Sequence, residues 1–387
     1  MILSTLMAFA SISTDVYLPA LPAMGAALHA SDGAVELTIS GYLVGFSLGQ
    51  LLWGPIGDRY GRRLPIAVGL ALFAIGAAGC ALSTSAPMLI GWRALQAVGA
   101  CASVVLARAM VRDLYTGHRA AQMMSTLMTV MAVAPLVGPS LGSLIMYVAS
   151  WRAIFWTLVG VGLATLVALN WLPETLPHER RNPTPLGRAL RGYGELLTDR
   201  RVLGYAGAGG FFYGAMFAYI AGTPFAYITY YHVPPPHYGL LFGGGIVGIM
   251  VTNQINSRIV KRFGSDRLLK AGTLCAAVAG VVLGLNAKTA WGGLSGLVIP
   301  LFLFLSATGF IVANSIAGAL ARAPGRAGAV SALVGSIHYG TGIIGSALVG
   351  LFADGTPWPM AAIIAAMSVG SLLCALLFLP AVTGKPT

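Results

Sequence analysis

The ten residues Gly54-Pro55-Ile56-Gly57-Asp58-Arg59-Tyr60-Gly61-Arg62-Arg63 form a short polar turn between two apolar stretches. These stretches lie near residues 35–56 and 64–83, and each approaches the roughly 20 residues that span a bilayer. Glycines permit a tight turn between closely packed helices, and clustered basic residues favour the cytoplasmic side of a membrane. The turn therefore predicts two membrane helices joined at the cytoplasmic surface.

The remainder of the chain repeats this alternation of apolar stretches and short polar connections. Only 9% of the residues are charged and 57% are apolar, whereas soluble domains carry roughly 25% charged residues. This composition predicts an all-α membrane protein with twelve transmembrane helices. We expect the first stretch to be a retained helix, because it lacks a basic region and is longer than a signal-peptide core. The predicted helices lie near 2–24, 35–56, 64–83, 88–110, 120–148, 152–172, 202–225, 238–257, 268–287, 293–320, 327–352 and 359–380.

The net charge of +12 comes from clusters between the apolar stretches. Alternating the loops between two sides leaves only Arg152 and Lys288 on one of them, and places Arg93 inside a helix. By the positive-inside rule, this asymmetry predicts a multi-pass inner-membrane protein with both termini cytoplasmic and argues against a nucleic-acid partner. The basic residues of the other side are Arg59, Arg62, Arg63, Arg108, Arg112, Arg119, Arg180, Arg181, Arg188, Arg191, Arg200, Arg201, Arg258, Lys261, Arg262, Arg267, Lys270, Arg322, Arg326 and Lys385.

A polar segment near the middle divides the chain into two halves. We expect an N-terminal six-helix bundle at 1–172, a cytoplasmic linker at 173–201 and a C-terminal six-helix bundle at 202–387. Two short matches relate the halves at one common offset of 203 residues: Arg59-Tyr60-Gly61 with Arg262-Phe263-Gly264, and Gly142-Ser143 with Gly345-Ser346. The common offset predicts pseudo-symmetric bundles, and parallel repeats of this kind place a substrate cavity between them.

Two charged residues lie deep in predicted helices, Asp15 in the first and Arg93 in the fourth. A charge near the bilayer centre costs roughly 2.5–3.5 kcal/mol on insertion scales, so each should face a cavity or a partner. We predict that Asp15 is a proton site and that Arg93 tunes or replaces its proton. The alternative is that Asp15 only pairs within the bundle or is hydrated, and direct pairing with Arg93 stays open.

The turn that follows the second helix could do more than set topology. Asp58 could cap a helix N-terminus, or it could pair with Arg59 or Arg112 in a latch that breaks as the halves move. The alternative is a basic loop that only fixes orientation, but such a loop needs neither the aspartate nor the glycines.

Four motifs resemble those of the major facilitator superfamily. They are the turn at 54–63, Arg93-Ala94-Leu95-Gln96-Ala97-Val98-Gly99, Pro135-Leu136-Val137-Gly138-Pro139-Ser140-Leu141-Gly142, and Asp15-Val16-Tyr17-Leu18-Pro19-Ala20-Leu21-Pro22. The last resembles the first helix of the bicyclomycin/chloramphenicol-resistance (Bcr/CflA-type) branch of multidrug efflux transporters. The resemblance covers the whole chain and implies a twelve-helix drug:proton antiporter that works by alternating access.

The resemblance also implies roles for particular residues. Proton coupling would belong to Asp15 and Arg93. The helix-5 antiporter motif would shape the interface between the halves with Pro135, Gly138, Pro139 and Gly142, although ordinary packing explains each glycine as well. Ser143 departs from the second glycine usual in that motif, and Lys261 stands where an acid would align in the second half, so we expect no latch there. Gating would belong to Gly54, Gly57, Asp58, Arg59, Gly61, Arg62, Arg63 and Arg112.

Polar and aromatic residues within the predicted helices are candidates for the substrate cavity. Drug-sized ligands prefer apolar pockets with a few polar groups. Packing or an interfacial aromatic belt is the alternative for the aromatics of the seventh helix, and a hydrogen-bonded structural role is the alternative for His338. The candidates are Tyr17, Tyr42, Gln50, Gln96, Phe212, Phe217, Asn253, Asn314 and His338.

These observations favour a proton-coupled exporter of drug-like small molecules. The alternatives are a proton-coupled transporter of a small metabolite, such as an amino acid or sugar, and a non-transporting membrane receptor. The sequence has no Walker loop, His-Glu-x-x-His or Cys-x-x-Cys, so we expect no enzymatic activity, cofactor or metal. The expected partners are a small-molecule substrate, protons and membrane lipid, and the expected state is a monomer.

Overall fold

The structure is a computed structural model, and it describes residues 2–115, 117–181, 194–322 and 327–379. Within these ranges the regular secondary structure is entirely helical. The main helices are α1 (Ile2–Ala27), α2 (Asp32–Tyr60), α3 (Arg63–Ala81), α4 (Ala86–Leu114), α5 (Gly117–Val148), α6 (Trp151–Trp171), α7 (Arg200–Tyr230), α8 (Pro235–Phe263), α9 (Ser265–Thr289), α10 (Gly293–Arg322), α11 (Ala327–Leu351) and α12 (Trp358–Leu377).

Length and composition make these helices membrane spans. Eleven of those in the described ranges are long and apolar enough to cross a bilayer. The remaining helix, α5, has 32 residues, but its apolar part is the shorter segment Val133–Val148. The predicted all-α membrane architecture is thereby confirmed.

The helices extend beyond the apolar stretches that predicted them. The prediction for α2 was 35–56 and that for α8 was 238–257, and both helices are several residues longer at each end. An apolar stretch marks only the hydrocarbon core, whereas a helix continues into the headgroup region where polar residues are tolerated. Ser31 caps the N-terminus of α2, because its hydroxyl accepts a hydrogen bond from the Ala34 N–H at 3.3 Å.

Three helices change their helix type or are interrupted along their length. The first α-helical segment of α1 ends at Asp15, and a 3₁₀ turn at Leu18–Ala20 precedes the second segment. Pro19 lies in this break, where its missing N–H and fixed φ are tolerated. α7 ends in a π-helical turn, Phe225–Tyr230, and α10 is interrupted at Ala307. The break in α1 places Asp15 at the end of a helical segment.

The chain divides into two compact units, residues 1–191 and 192–387. In the first unit α4 packs against α1, α2 and α3, and in the second α7 packs against α11 and α12. Within the predicted linker 173–201, Glu174 accepts a hydrogen bond from the Arg62 N–H of the first unit, and α7 begins at Arg200. Arg188, Arg191, Arg326 and Lys385 of the charge map lie outside the described residues.

The two units share local geometry at positions 203 residues apart. Gly61 follows α2 with φ 90°, and Gly264 follows α8 with φ 80°. A Cβ on Gly142 would lie 1.7 Å from the Val16 oxygen of α1, and one on Gly345 would lie 2.0 Å from the Gly214 oxygen of α7. The contact of α5 with α1 therefore recurs as the contact of α11 with α7, as expected of a duplicated six-helix unit.

Candidate functional site

Arg93 is fully buried in the first unit and has no carboxylate partner among the described residues. It lies in the second turn of α4. Its Nη1 donates to the Ser13 carbonyl oxygen at 2.9 Å and to Gln96 Oε1 at 2.6 Å. Its Nε and Nη2 have no hydrogen-bond partner within the described part of the chain. Arginine stays protonated in proteins, so a cation is held here by neutral groups.

Aromatic rings surround the Arg93 guanidinium and form what we call the Arg93 cage, made of Tyr17, Tyr42 and Phe155. The guanidinium carbon lies 4.1 Å from the ring centroid of Tyr17, 4.4 Å from that of Tyr42 and 6.0 Å from that of Phe155. A cation over an aromatic face is attracted by about 2 kcal/mol or more when desolvated. The cage therefore supplies part of the stabilisation that a buried carboxylate would otherwise provide.

Hydrogen bonds fix the two tyrosines of the cage. The Tyr42 hydroxyl lies 2.6 Å from Ser13 Oγ, and the Tyr17 hydroxyl lies 3.2 Å from Thr38 Oγ1. Each bond joins α1 to α2. Both rings are therefore positioned by contacts between these helices and not only by the cation they contact.

Asp15 is buried, with 4% of its surface exposed, at the end of the first segment of α1. Its carboxylate forms no ion pair with Arg93, although both residues belong to the described ranges. Direct pairing, which the sequence left open, is therefore absent from this structure, although Arg93 bonds to the Ser13 carbonyl only two residues before the acid.

The helix-5 motif lies directly against Asp15. A Cβ on Gly138 would lie 2.8 Å from the Asp15 Cβ, and the close approach of Gly142 to Val16 follows one turn later. Pro135 and Pro139 lie within the continuous helix α5, and Pro139 is buried. The glycines thus permit a backbone contact between α5 and α1 at the level of the acid.

The turn after α2 is held by an ion-pair network around Arg62. Arg62 Nη1 lies 2.7 Å from Asp58 Oδ1, and Arg62 Nε lies 2.8 Å from Asp113 Oδ2 at the end of α4. The predicted partners of Asp58 were Arg59 and Arg112, but the structure pairs it with Arg62. Asp58 and Arg62 are four residues apart, and their side chains meet across the turn between α2 and α3. Arg112 is exposed instead.

Glu174 ties the same turn to the segment after α6. Its carboxylate accepts hydrogen bonds from the backbone N–H groups of Arg62 and Arg63 at 2.9–3.1 Å, at the N-terminus of α3. It also accepts from the N–H groups of Thr175 and Leu176. Partial burial raises the pKa of Glu174, but these four donors outweigh it and hold the pKa below its ordinary value.

The predicted gating residues differ in how tightly they are packed. A Cβ on Gly57 would lie 2.3 Å from Leu106 Cδ2, and one on Gly61 would lie 2.6 Å from Glu174 Oε2, whereas Gly54 meets nothing within 4 Å. Arg63 donates to Asn170 Oδ1 at 3.1 Å, and Arg59 lies over the Tyr60 ring at 5.5 Å. Gly57 and Gly61 therefore have a packing reason to be glycine.

The remaining cavity candidates have the following surroundings within their own units. In the second unit Phe212 packs on Phe304 with centroids 5.1 Å apart, and Asn314 donates to Asn256 at 2.8 Å. His338 stacks on Tyr213 at 4.5 Å. Asn253 is exposed, and in the first unit Gln50 is buried on α2.

A cavity of about 270 Å³ in the second unit is lined by other residues of α7, α8 and α10, including Tyr219, Gly244 and Phe302. None of the predicted candidates lines it. Among the described residues, no group of three or more His, Cys, Asp and Glu side chains could hold a metal ion.

Sequence reasoning missed three acids that the structure makes important. Glu36 is 3% exposed, and its Oε2 has no partner among the described residues. Asp113 bonds to the Arg62 side chain, and Glu174 bonds to the backbone at the start of α3. Glu36 follows Asp32 by one helical turn, and this spacing was a signal in the sequence. The bonds of Glu174 to Arg62 and Arg63 span more than 100 residues and leave no local signal.

Two related six-helix units, with an acid and a cation buried in the first, define a multi-pass membrane transporter. The chain belongs to the Major Facilitator Superfamily, whose family model matches residues 3–339. Members of this class move solutes and are not enzymes.

Known proteins match the sequence over nearly its whole length. The uncharacterized MFS-type transporter YdgK of Bacillus subtilis is 39% identical over 370 residues, covering 93% of this chain and 90% of the relative. A bicyclomycin resistance protein homolog of Haemophilus influenzae is 32% identical over 360 residues, with the same coverage of 93% and 90%.

A solved structure shows the same fold. The xylose transporter XylE from E. coli, in a partially occluded inward-open conformation, matches with a TM-score of 0.76 at 16% identity. The match covers 99% of this chain and 98% of that one. At this identity the similarity establishes the architecture alone.

Proposed function

We propose that this protein is a proton-coupled antiporter that exports drug-like small molecules across the inner membrane by alternating access. The observation that carries the proposal is Asp15, a buried acid that lies near a buried cation without pairing with it. Such an acid can bind and release a proton without breaking an ion pair. The bicyclomycin resistance for which the Haemophilus relative is named favours export of an antibiotic-like compound.

In this proposal Asp15 carries the proton, and Arg93 provides the positive charge that favours its release. α5 contributes the structural link, because Gly138 contacts Asp15 and Gly142 contacts Val16. A movement of α5 against α1 would therefore change the surroundings of the acid. The candidate groups for substrate are the polar and aromatic residues named above, and three of them, Tyr17, Tyr42 and Gln96, contact Arg93.

We assign gating to the network of Asp58, Arg62, Asp113 and Glu174. It joins α2, α3, α4 and the segment after α6 through ion pairs and backbone hydrogen bonds. Such bonds can be broken and re-formed as a unit during transport, at a cost that substrate and proton binding offset.

We further propose that the protein works as a monomer in lipid with both termini cytoplasmic. The charge asymmetry supports this orientation, and the two bases on the opposite side rest on tryptophans: Arg152 lies 4.2 Å over Trp151 and Lys288 lies 5.0 Å over Trp358. Aromatic residues of this kind favour membrane interfaces. Labelling a cysteine introduced at Asp354 from outside intact cells, but not one introduced at Thr175, would be the expected result.

Uptake of a metabolite is the alternative. Sugar transporters share the fold, but identity below 25% says nothing of the substrate. The export proposal predicts resistance in bacteria that lack their own efflux pumps, tested with bicyclomycin, chloramphenicol and unrelated amphipathic compounds. We expect lower intracellular accumulation of at least one compound, and loss of that difference when an ionophore collapses the proton gradient. Greater accumulation across the panel, or protection that survives the ionophore, would contradict proton-driven export.

A further inference from the structure

The proposed coupling role does not explain why the buried Arg93 cation and the buried Asp15 carboxylate form no ion pair. Arg93 retains two nitrogens without hydrogen-bond partners in the described part of the chain, and Asp15 is buried in the same unit. Two opposite charges in a low-dielectric region attract strongly. Their separation in this structure therefore requires competing contacts for the guanidinium.

We propose that Tyr17 and Tyr42 are positioning residues for proton coupling, whose rings hold the Arg93 side chain away from Asp15. The inference rests on the proposed function, because it concerns the same acid and cation. It assigns the tyrosines to the control of a proton site, whereas the sequence suggested contact with substrate.

The geometry supports this role in two ways. Both rings lie within 4.4 Å of the guanidinium carbon, close enough for a direct cation–π contact on each. Both hydroxyls also bond between α1 and α2, so these bonds add to the contact with Arg93 in orienting the rings. Nη1 is held separately by the Ser13 carbonyl and by Gln96. The cation is thus retained from several directions, none of which involves a carboxylate.

The groups around the pair are few. Arg93 is the charged neighbour of Asp15. The other titratable groups facing the cage come from α1, α2, α3 and α4, while α5 contributes Gly138 and α6 contributes Phe155. These titratable groups are Tyr17, Tyr42, Cys80 and Cys101. Tyrosine and cysteine side chains are neutral near pH 7, so among these described groups Arg93 is the charge that acts on Asp15.

Removing a ring should release the guanidinium toward the carboxylate. A paired carboxylate holds its charge to lower pH, by about 1–3 units for a close arginine. Proton binding to Asp15 would then require a more acidic solution, and the pH dependence of transport would move with it. Loss of a hydroxyl alone should leave the cage and its effect in place.

The test compares Tyr42→Leu with Tyr42→Phe, and Tyr17→Leu with Tyr17→Phe, in the full chain reconstituted in liposomes. We expect the Phe variants to keep the wild-type pH profile. The Leu variants should shift the pH of half-maximal substrate exchange to lower values by about 1 unit or more. A merely structural role would lower the rate of exchange without moving this pH.

A second measurement covers Leu variants that insert in the membrane but do not transport. Hydrophobic carbodiimides react with protonated buried carboxyl groups, so labelling of Asp15 reports its protonation directly. Labelling is read at the Asp15 position itself, because the buried Glu36 can react as well. At pH 7 we expect at least a several-fold loss of labelling of Asp15 in the Leu variants relative to the Phe variants, with Asp15→Asn as the control that is unlabelled at this position. Equal labelling and equal pH profiles in the Leu and Phe variants would overturn the proposal. Absence of any pH-dependent exchange in the wild-type protein would instead refute the proposed function.

Discussion

Glu174 shows how one side chain can anchor a functional turn. Its carboxylate accepts hydrogen bonds from the N–H groups of Arg62 and Arg63, which begin α3 and have no side-chain cap of their own. An anion at a helix N-terminus also interacts favourably with the helix dipole. The residue therefore fixes the start of α3 and, through it, the position of Arg62.

Replacing Glu174 with Gln should destabilise the protein in a pH-dependent manner. The loss should be about 0.5–1 kcal/mol at neutral pH, because Gln keeps one acceptor oxygen but loses the charge. Since the folded state lowers the pKa of Glu174, its stabilisation is complete above the ordinary value of 4.5 and disappears as the pH falls below that value through the lowered pKa. Thermal unfolding of both proteins across pH 3–8 measures this difference.

Glu179→Gln provides the matched control for that prediction. Glu179 is an exposed carboxylate in the same segment, so its replacement should leave the unfolding temperature unchanged throughout the pH range. A difference between wild type and Glu174→Gln that stays constant down to acidic pH would show that the charge of Glu174 is not the source of its effect.

At this scale the sequence predicts which residues are unusual better than it predicts their partners. Asp15 and Arg93 stand out because a charge inside an apolar stretch is costly. The tyrosines of the cage were identified as polar groups in helices, yet their contact with Arg93 depends on how three helices pack. The pairing of Arg62 with Asp113 could not be predicted, because it joins residues about 50 positions apart.

Among the helices, the contact between α5 and α1 is the closest link between a motif and the proton site. Gly142 brings the α5 backbone so near Val16 that a methyl group would lie 1.7 Å from its carbonyl oxygen. No side chain can rotate to relieve this overlap, because the obstructing atom belongs to the backbone. The helices would have to separate, and the packing around Asp15 would change.

We expect Gly142→Ala to lower stability by about 1–3 kcal/mol, the usual cost of overpacking, and to impair transport. Gly54→Ala is the control, because a Cβ there meets nothing within 4 Å and alanine favours the helix by up to about 1 kcal/mol. Unfolding temperatures of the purified proteins in detergent distinguish the two. If both variants unfold at the wild-type temperature, the close contact of α5 with α1 does not exist as described.

Apolar stretches located all twelve helices but not their full lengths. They could not show the break in α1 after Asp15 or the π-helical turn at Phe225–Tyr230, because neither changes the hydropathy of the segment. The prolines near both sites were the available local signals. The broken geometry matters, because it ends a helical segment at the acid proposed to carry the proton.

For the molecule as a whole, the duplication was predictable from two short matches at one offset. The structure adds that the matched glycines have the same backbone conformation or the same close contact in each unit. The proposed functional groups, however, are distributed unequally between the two units. Asp15, Arg93 and the network around Arg62 belong to the first unit. In the second unit, Asp266 accepts a hydrogen bond from the Tyr205 hydroxyl at 2.7 Å. In the proposed mechanism, proton coupling therefore belongs to the first unit.

The most direct test of that account is proton-driven transport by the purified protein in liposomes, using a compound to which it gives resistance. An imposed pH gradient should drive substrate accumulation by the wild-type protein and by the loop control Asp354→Asn. Asp15→Asn should insert and bind substrate but lose gradient-driven accumulation, while retaining exchange without a gradient. Wild-type accumulation by Asp15→Asn would contradict the claim that Asp15 carries the coupled proton.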